Sequence, residues 1–96
     1  PYTDLSATKK RPSLVVANLK GDNIILCQIT GQPRPDPDLI NLKKEDFQTG
    51  TLQRDSFIMP SFLFTIHKSK INYVAGKIKQ EKINEVEKKL CDIFVR

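Results

Sequence analysis

The chain has 96 residues, of which 16 are lysine or arginine and 11 are aspartate or glutamate, so its formal net charge is +5. This length suits one domain around a single core and makes additional modules unexpected. The positive balance favours an anionic partner, such as nucleic acid, an acidic protein or a membrane surface. The longest apolar segment, residues 57–66, is interrupted by Pro60 and is far shorter than a membrane span of roughly 20 residues, so none is expected.

The two cysteines are too far apart in sequence to indicate a metal site or a disulfide framework. Cys27 falls in a predicted strand and Cys91 in a predicted helix, with neither a CxxC spacing nor a neighbouring histidine. We therefore expect no metal ion and no other cofactor. Free cysteines are typical of a reducing compartment, and no signal-peptide pattern is present, so a cytoplasmic location is expected. Because the chain begins at Pro1, we also expect a processed or shortened N-terminus.

The first ten residues are mostly polar and end in Lys9 and Lys10, directly before Arg11. They are predicted to form a loop that leads into the first strand. Two β-branched apolar runs follow, at residues 13–17 and 24–30. Gly21 lies between them and tolerates the positive φ that a hairpin turn needs, so the two runs are predicted to be adjacent antiparallel strands.

Pairing around this turn brings Arg11 and Thr30 together, because each lies at the outer end of its strand. A permanent cation beside a hydroxyl group, next to Gly31 and Gln32, suits the binding of a phosphate. Each residue also has a simpler interpretation. Arg11 is a plausible ion-pair partner of Asp4, and threonine is common in strands of any kind.

Residues 31–38 contain three prolines, which remove backbone donors and restrict the preceding residues, so this segment is predicted to be an exposed loop. Arg34 in this loop is a possible ligand contact, although most loop arginines are only solvated. Residues 39–42 are predicted to form a short strand. A charged turn then follows, and Gly50 marks the next turn.

The segment from Ser56 to His67 is predicted to be a strand that is interrupted at Pro60, which implies a sheet edge or a bulge there. Its second part alternates, so that Thr65 and His67 point to the same side. Another strand is predicted within residues 71–79, with Gly76 as a bulge or a close backbone contact.

Residues 80–94 change to a helical period, with apolar side chains on one face and charged side chains on the other. This pattern predicts an amphipathic helix that covers a sheet and lacks a capping side chain at its start. Several short strands followed by one helix predict an α+β protein, with a small, strongly bent antiparallel sheet or partly open barrel.

Several ordered motifs resemble the MazF/PemK family of toxin endoribonucleases of bacterial toxin-antitoxin systems. The resemblance covers almost the whole chain, and its order makes it more specific than any single motif. The matching segments are Thr3-Asp4-Leu5, Lys10-Arg11-Pro12, Leu14-Val15-Val16, Ile29-Thr30-Gly31-Gln32, Arg54-Asp55-Ser56, Phe64-Thr65-Ile66, Lys68-Ser69 and Gly76-Lys77-Ile78.

The resemblance implies an SH3-like barrel, similar to those of CcdB and MazF, with a C-terminal helix, formed by a single domain over residues 1–96 that lacks the family's first strand. It also implies a homodimer that is inhibited by a cognate antitoxin protein and has no association with membranes. The implied activity is metal-independent cleavage of single-stranded RNA. RNA and DNA binding are both implied, but attack by a ribose 2′-hydroxyl restricts cleavage to RNA.

The family's catalytic arginine and threonine correspond to Arg11 and Thr30. We expect Arg11 to stabilise charge on the phosphate and to act as a possible proton donor, because a guanidinium stays protonated and is unsuited as a general base. We expect Thr30 to hydrogen-bond the phosphate. The further residues expected to bind RNA are Lys9, Lys10, Gly31, Gln32, Ser56, Thr65 and His67.

Three positions differ from many relatives: Met59 and Phe64 replace arginines, and His67 replaces an aspartate. These differences favour one alternative, a weakly catalytic RNA-binding barrel. A second alternative is a toxin of the same barrel class that resembles CcdB and binds gyrase. His67 is the only histidine and a candidate base, but the sequence places no carboxylate beside it, which favours an exposed histidine without function. Phe57, Phe62 and Phe64 are candidates for base stacking, with core packing as the alternative.

Overall fold

The structure is a computed structural model that describes the backbone of residues 2–6 and 9–96 and the side chains of residues 11–96. The described residues form eight strands, two short 3₁₀ turns at Lys44–Asp46 and Lys68–Lys70, and one helix. The strands and the helix are β1 (Tyr2–Ser6), β2 (Lys9–Asn18), β3 (Asn23–Thr30), β4 (Ile40–Leu42), β5 (Phe47–Gly50), β6 (Ser56–His67), β7 (Ile71–Tyr73), β8 (Gly76–Ile78) and α1 (Gln80–Val95).

Six strands form one antiparallel sheet in the order β4-β6-β3-β2-β1-β7, and β5 pairs with β8 in a second, smaller sheet. Irregular register within β2 and β6 bends the larger sheet strongly. The predicted α+β class with a curled antiparallel sheet and a C-terminal helix is confirmed.

The central hairpin forms as predicted. Ser13 lies opposite Gln28 and Leu14 opposite Cys27, and the pairing continues to the turn. Gly21 has a φ of +82°, which residues with a side chain rarely adopt.

Two predictions about strands are wrong. Residues 2–6 form β1, which pairs with both β2 and β7, instead of a loop. The single strand predicted within residues 71–79 is in fact two strands, β7 and β8, which belong to different sheets. Both errors concern pairing between segments that are distant in sequence, which local patterns do not report.

The bulge predicted at Pro60 is confirmed. Gln28 lies opposite Met59, whereas the neighbouring Cys27 lies opposite Leu63, so residues 60–62 have no partners in β3. The close backbone contact predicted at Gly76 is also confirmed. A Cβ atom on Gly76 would overlap the carbonyl oxygen of Thr49 in the facing strand.

Helix α1 covers the sheet with its apolar face, and Val86 is only 1% exposed within the core. Burying a side chain of this size contributes about 1.5–3 kcal/mol. The predicted absence of a capping side chain at the helix start is confirmed, since Lys79 makes no such bond. No helix in the described part of the chain is long and apolar enough to cross a membrane.

The last residue of the chain ties the proline-rich loop to the helix. Arg96 donates two hydrogen bonds to Asp38, with N···O distances of 2.7 and 3.2 Å. Lys89 lies 3.9 Å from the same carboxylate. The hydrogen bond from Arg96 lowers the pKa of Asp38 below its usual value, because it stabilises the ionised form.

Candidate nucleic-acid interface

A polar cleft of about 420 Å³ lies where β2 begins and β3 ends. Three arginines line it, and no aspartate or glutamate is among the described residues that do so. Such a lining attracts anions. Its polar side chains are those of Arg11, Thr30, Gln32, Arg34, Gln53, Arg54 and Ser56.

The register of the hairpin explains why Arg11 and Thr30 share this cleft. Ser13 lies opposite Gln28, and continuing this antiparallel register by two residues brings Arg11 level with Thr30, the last residue of β3. The two side chains predicted to lie together do line the same cleft. On the other side of β2, Arg11 lies opposite Thr3 of β1, so pairing with β1 fixes the backbone of Arg11.

The Thr30 hydroxyl is held by the loop that follows it. Thr30 is 8% exposed, and its Oγ1 accepts a hydrogen bond from the backbone N–H of Gln32 at 3.2 Å. The same oxygen donates to the Gln32 carbonyl at 3.4 Å, which is long for a bond from a hydroxyl group. The first bond fixes the oxygen, and the weakness of the second leaves the proton available for a ligand.

Arg54 also lines the cleft, although it was not predicted to be a site residue. Its guanidinium lies against Gly31, since a Cβ atom built on Gly31 would be 2.7 Å from Arg54 Nε. The Ser56 hydroxyl donates to the Arg54 carbonyl oxygen at 3.1 Å. Ser56, which was predicted to contact RNA, is buried and bonds to the backbone that carries Arg54.

The proline-rich loop brings Gln32 and Arg34 to the cleft. Its Asp36 accepts a hydrogen bond from Ser61 in the β6 bulge at 3.2 Å. Asp38 at the end of this loop is held by Arg96, as described above. The loop is therefore attached both to β6 and to the end of α1.

Thr65 and His67 do not line the cleft. His67 lies opposite Asn23, at the end of β3 away from Thr30, and seven residue steps in a strand span about 23 Å. The sequence places no carboxylate beside His67, but the fold does, because the hairpin turn brings Asp22 to 3.8 Å from its Nε2. Its Nδ1 lies 2.8 Å from the Ser69 hydroxyl oxygen.

The remaining candidates are not part of the described cleft. The side chains of Lys9 and Lys10 lie outside the described side chains. Phe62 is 49% exposed and packs edge-on against Phe64, with 6.4 Å between ring centroids. Neither ring lines the cleft, and Phe57 does not line it either, so the described cleft contains no stacking platform.

An adjoining cavity of about 260 Å³ differs in character. Apart from Lys77, its side chains are apolar, and it shares Pro12, Ile29 and Leu52 with the polar cleft. It therefore offers little for recognition of a charged group. Among the described residues, no group of three or more histidine, cysteine, aspartate or glutamate side chains is arranged to hold a metal ion.

Comparison with known proteins gives the same family as the motifs. The family described as PemK-like, MazF-like toxin of type II toxin-antitoxin system matches residues 2–94. A search of curated proteins finds no match.

Solved structures of mycobacterial proteins share the fold. The toxin MazF-mt6 of Mycobacterium tuberculosis has a TM-score of 0.76 and 15% identity, over 98% of this chain and 95% of that chain. A mycobacterial endoribonuclease in complex with its cognate antitoxin has a TM-score of 0.73 and 14% identity, over 97% and 87%. A further mycobacterial endoribonuclease has a TM-score of 0.72 and 18% identity, over 96% and 83%.

Proposed function

Since the chain belongs to the PemK-like, MazF-like family of toxins of type II toxin-antitoxin systems, we propose that it is an endoribonuclease that cleaves single-stranded RNA in the polar cleft. The observation that carries this proposal is the placement of Arg11 and Thr30 in one cleft, where none of the lining residues that the structure describes is a carboxylate. The endoribonuclease names of the structural neighbours are consistent with it.

The reaction uses the ribose 2′-hydroxyl of the substrate as the nucleophile on the adjacent phosphorus atom. A new P–O bond forms to the 2′-oxygen, and the bond to the 5′-oxygen of the next nucleotide breaks. The products are a 2′,3′-cyclic phosphate and a 5′-hydroxyl end. Because RNA supplies the nucleophile, the protein's main tasks are to align the substrate and to stabilise charge on the phosphate oxygens.

Arg11 performs the second task, since its guanidinium offers paired donors to phosphate oxygens. Thr30 donates its hydroxyl proton to the same group. No histidine, aspartate or glutamate is among the described residues that line the cleft. In this proposal water accepts the proton of the 2′-hydroxyl, Arg11 gives a proton to the leaving 5′-oxygen, and solvent returns a proton to Arg11, which leaves the guanidinium charged after each turnover.

The test is digestion of a single-stranded RNA oligonucleotide by the purified chain in EDTA. We expect cleavage, with 2′,3′-cyclic phosphate ends in the products. A single 2′-deoxy substitution at each cleaved position abolishes cutting there. Failure to cut any of a mixed set of RNA sequences, or cutting that continues at the 2′-deoxy positions, would contradict the proposal.

The same phosphate contacts bind DNA without cleaving it, so a DNA oligonucleotide of matching sequence is expected to act as a competitive inhibitor. A catalytically weak RNA-binding barrel is the second candidate, favoured by the absence of a near-neutral acid or base from the described cleft lining. The two candidates differ in the EDTA digest, because a binding barrel retains RNA but leaves it intact.

We propose a cognate antitoxin as the protein partner, with an acidic segment that complements the arginine-lined cleft. We also propose a homodimer. Among the described strands, β4 pairs with the outer edge of β6 only at residues 56–58, and the exposed ring of Phe62 lies in the part of β6 beyond this pairing. Both cysteines are free, which is compatible with a cytoplasmic protein. Light scattering of the purified chain and co-purification with the protein encoded by a neighbouring gene test these assignments.

A further inference from the structure

The contact between Gly31 and Arg54 is unusual, because the absence of a side chain on one residue makes room for the charge of the other. A Cβ atom on Gly31 would lie 2.7 Å from Nε, 2.8 Å from one terminal nitrogen and 3.0 Å from the central carbon of Arg54. All three atoms belong to the guanidinium group. The backbone of Gly31 therefore forms the surface on which this group rests.

Gly31 is needed here for space and not for backbone conformation. The glycines with positive φ among the described residues are Gly21 and Gly50. At Gly50 and Gly76 the obstacle to a Cβ atom is the backbone of the opposite strand, which cannot move without disturbing the sheet. At Gly31 the obstacle is the end of a flexible side chain.

The guanidinium of Arg54 is available for a ligand. Its side chain is exposed and forms no ion pair or hydrogen bond with the described residues. The backbone of the same residue is fixed, because Ser56 donates to its carbonyl oxygen. Arg54 thus combines an anchored backbone, a supported guanidinium and a charge that no described side chain pairs, in the same cleft as Arg11 and Thr30.

We propose that Arg54 is a second phosphate-binding residue of the cleft, and that Gly31 is the positioning residue that lets its guanidinium lie there. This inference rests on the proposed function, because the phosphate belongs to the bound RNA. One arginine binds the phosphate that is cleaved, and the other binds a phosphate of the same strand. A guanidinium suits this role because it donates in a planar fork to two oxygens at once.

The test is the salt dependence of RNA binding, measured by fluorescence anisotropy with a labelled single-stranded RNA in EDTA. The labelled RNA carries 2′-deoxy nucleotides at the cut sites, which prevents cleavage, so that binding alone is measured. Each phosphate contact with single-stranded nucleic acid contributes about 0.7 to the slope of log K against log salt. We expect Arg54→Gln to lower the slope by about this amount and the affinity about tenfold. Arg54→Lys retains the slope.

Gly31→Ala tests the link between the two residues. The new methyl group displaces the guanidinium, so we expect the same loss of slope and affinity as in Arg54→Gln, with unchanged thermal unfolding. In the double variant Gly31→Ala/Arg54→Gln no further loss is expected. A further loss in the double variant would show that the methyl group obstructs RNA directly, and would overturn the positioning role of Gly31. Lys68→Gln, at the far end of the sheet, is the matched control for loss of one charge.

The inference and the proposed function fail in different ways. If Arg54→Gln leaves slope and affinity unchanged while the wild-type chain cleaves RNA, the inference is wrong and the proposed function stands. If the wild-type chain neither binds nor cleaves RNA, the proposed function is wrong. A uniform effect of Arg54→Gln and Lys68→Gln would also overturn the inference, because it would reflect net charge alone.

Discussion

Replacing Thr30 with valine separates the chemistry of the cleft from its stability. The substitution keeps the branched shape of a residue that is 8% exposed and replaces its hydroxyl group with a methyl group. Two effects follow from the contacts of this group. The backbone N–H of Gln32 loses its acceptor at 3.2 Å, and the phosphate loses a donor.

The two effects differ in size. A hydrogen bond of this kind contributes about 0.5–1.5 kcal/mol to stability. Because Gln32 is exposed, water can replace the lost acceptor, and the lower end of that range is expected. Loss of one donor to the transition state raises the barrier by about 2.7–4 kcal/mol, which slows the reaction by about 10²–10³-fold.

The assays are urea unfolding and single-turnover cleavage of RNA with the enzyme in excess over substrate. Thr30→Ser retains the hydroxyl and is the matched control, with a cleavage rate expected within about tenfold of wild type. If Thr30→Val is folded and cleaves RNA within about threefold of the wild-type rate, the hydroxyl does not contact the transition state and the assignment of Thr30 is wrong.

Three further predictions concern the framework around the cleft. Gly76→Ala is expected to lower the free energy of unfolding by about 1–3 kcal/mol, because its methyl group meets the backbone of the facing strand. Gly31→Ala is expected to stay within about 0.5 kcal/mol of wild type in urea unfolding, because its methyl group meets only a flexible side chain. Equal effects of the two substitutions would contradict this difference between the two sites. The pKa of Asp38 is lowered in the folded state, so its contribution to stability is present at neutral pH and is lost as pH falls below its ordinary value of 3.8. Asp38→Asn should therefore be less stable than wild type at pH 7 and lose that disadvantage under acid conditions, and a pH-independent difference would refute this. Burial raises the pKa of Cys27 to about 12, while Cys91 is exposed, so Ellman's reagent should modify one thiol in the native protein and two after unfolding; rapid modification of both native thiols would contradict the burial of Cys27.

The parts of the fold that depend on neighbouring residues were predictable from the sequence. The hairpin follows from two β-branched runs around Gly21, and the helix follows from its 3.6-residue period. Register then placed Arg11 and Thr30 together without further information. Residues 2–6 were predicted incorrectly, because their polar composition resembles a loop and their strand is defined by pairing with β7, about 70 residues away in sequence.

The parts of the site that depend on distant segments were not predictable. Arg54 lies in a polar turn, and nothing near it in the sequence shows that its guanidinium lies against Gly31. Similarly, Asp22 reaches His67 only because every residue of β3 pairs with β6, as far as Asn23 opposite His67. Thr65 and His67 were predicted from motif matching and strand alternation, neither of which reports the distance along the sheet from Thr30.

The central claim is that Arg11 stabilises the phosphate at which RNA is cut. Arg11→Ala tests it most directly, by single-turnover cleavage of a single-stranded RNA in EDTA beside wild type and Lys68→Gln. We predict that Arg11→Ala remains folded and cleaves at least about 10²-fold more slowly than wild type, while Lys68→Gln retains the wild-type rate. A folded Arg11→Ala variant that cuts RNA at the wild-type rate would contradict the account.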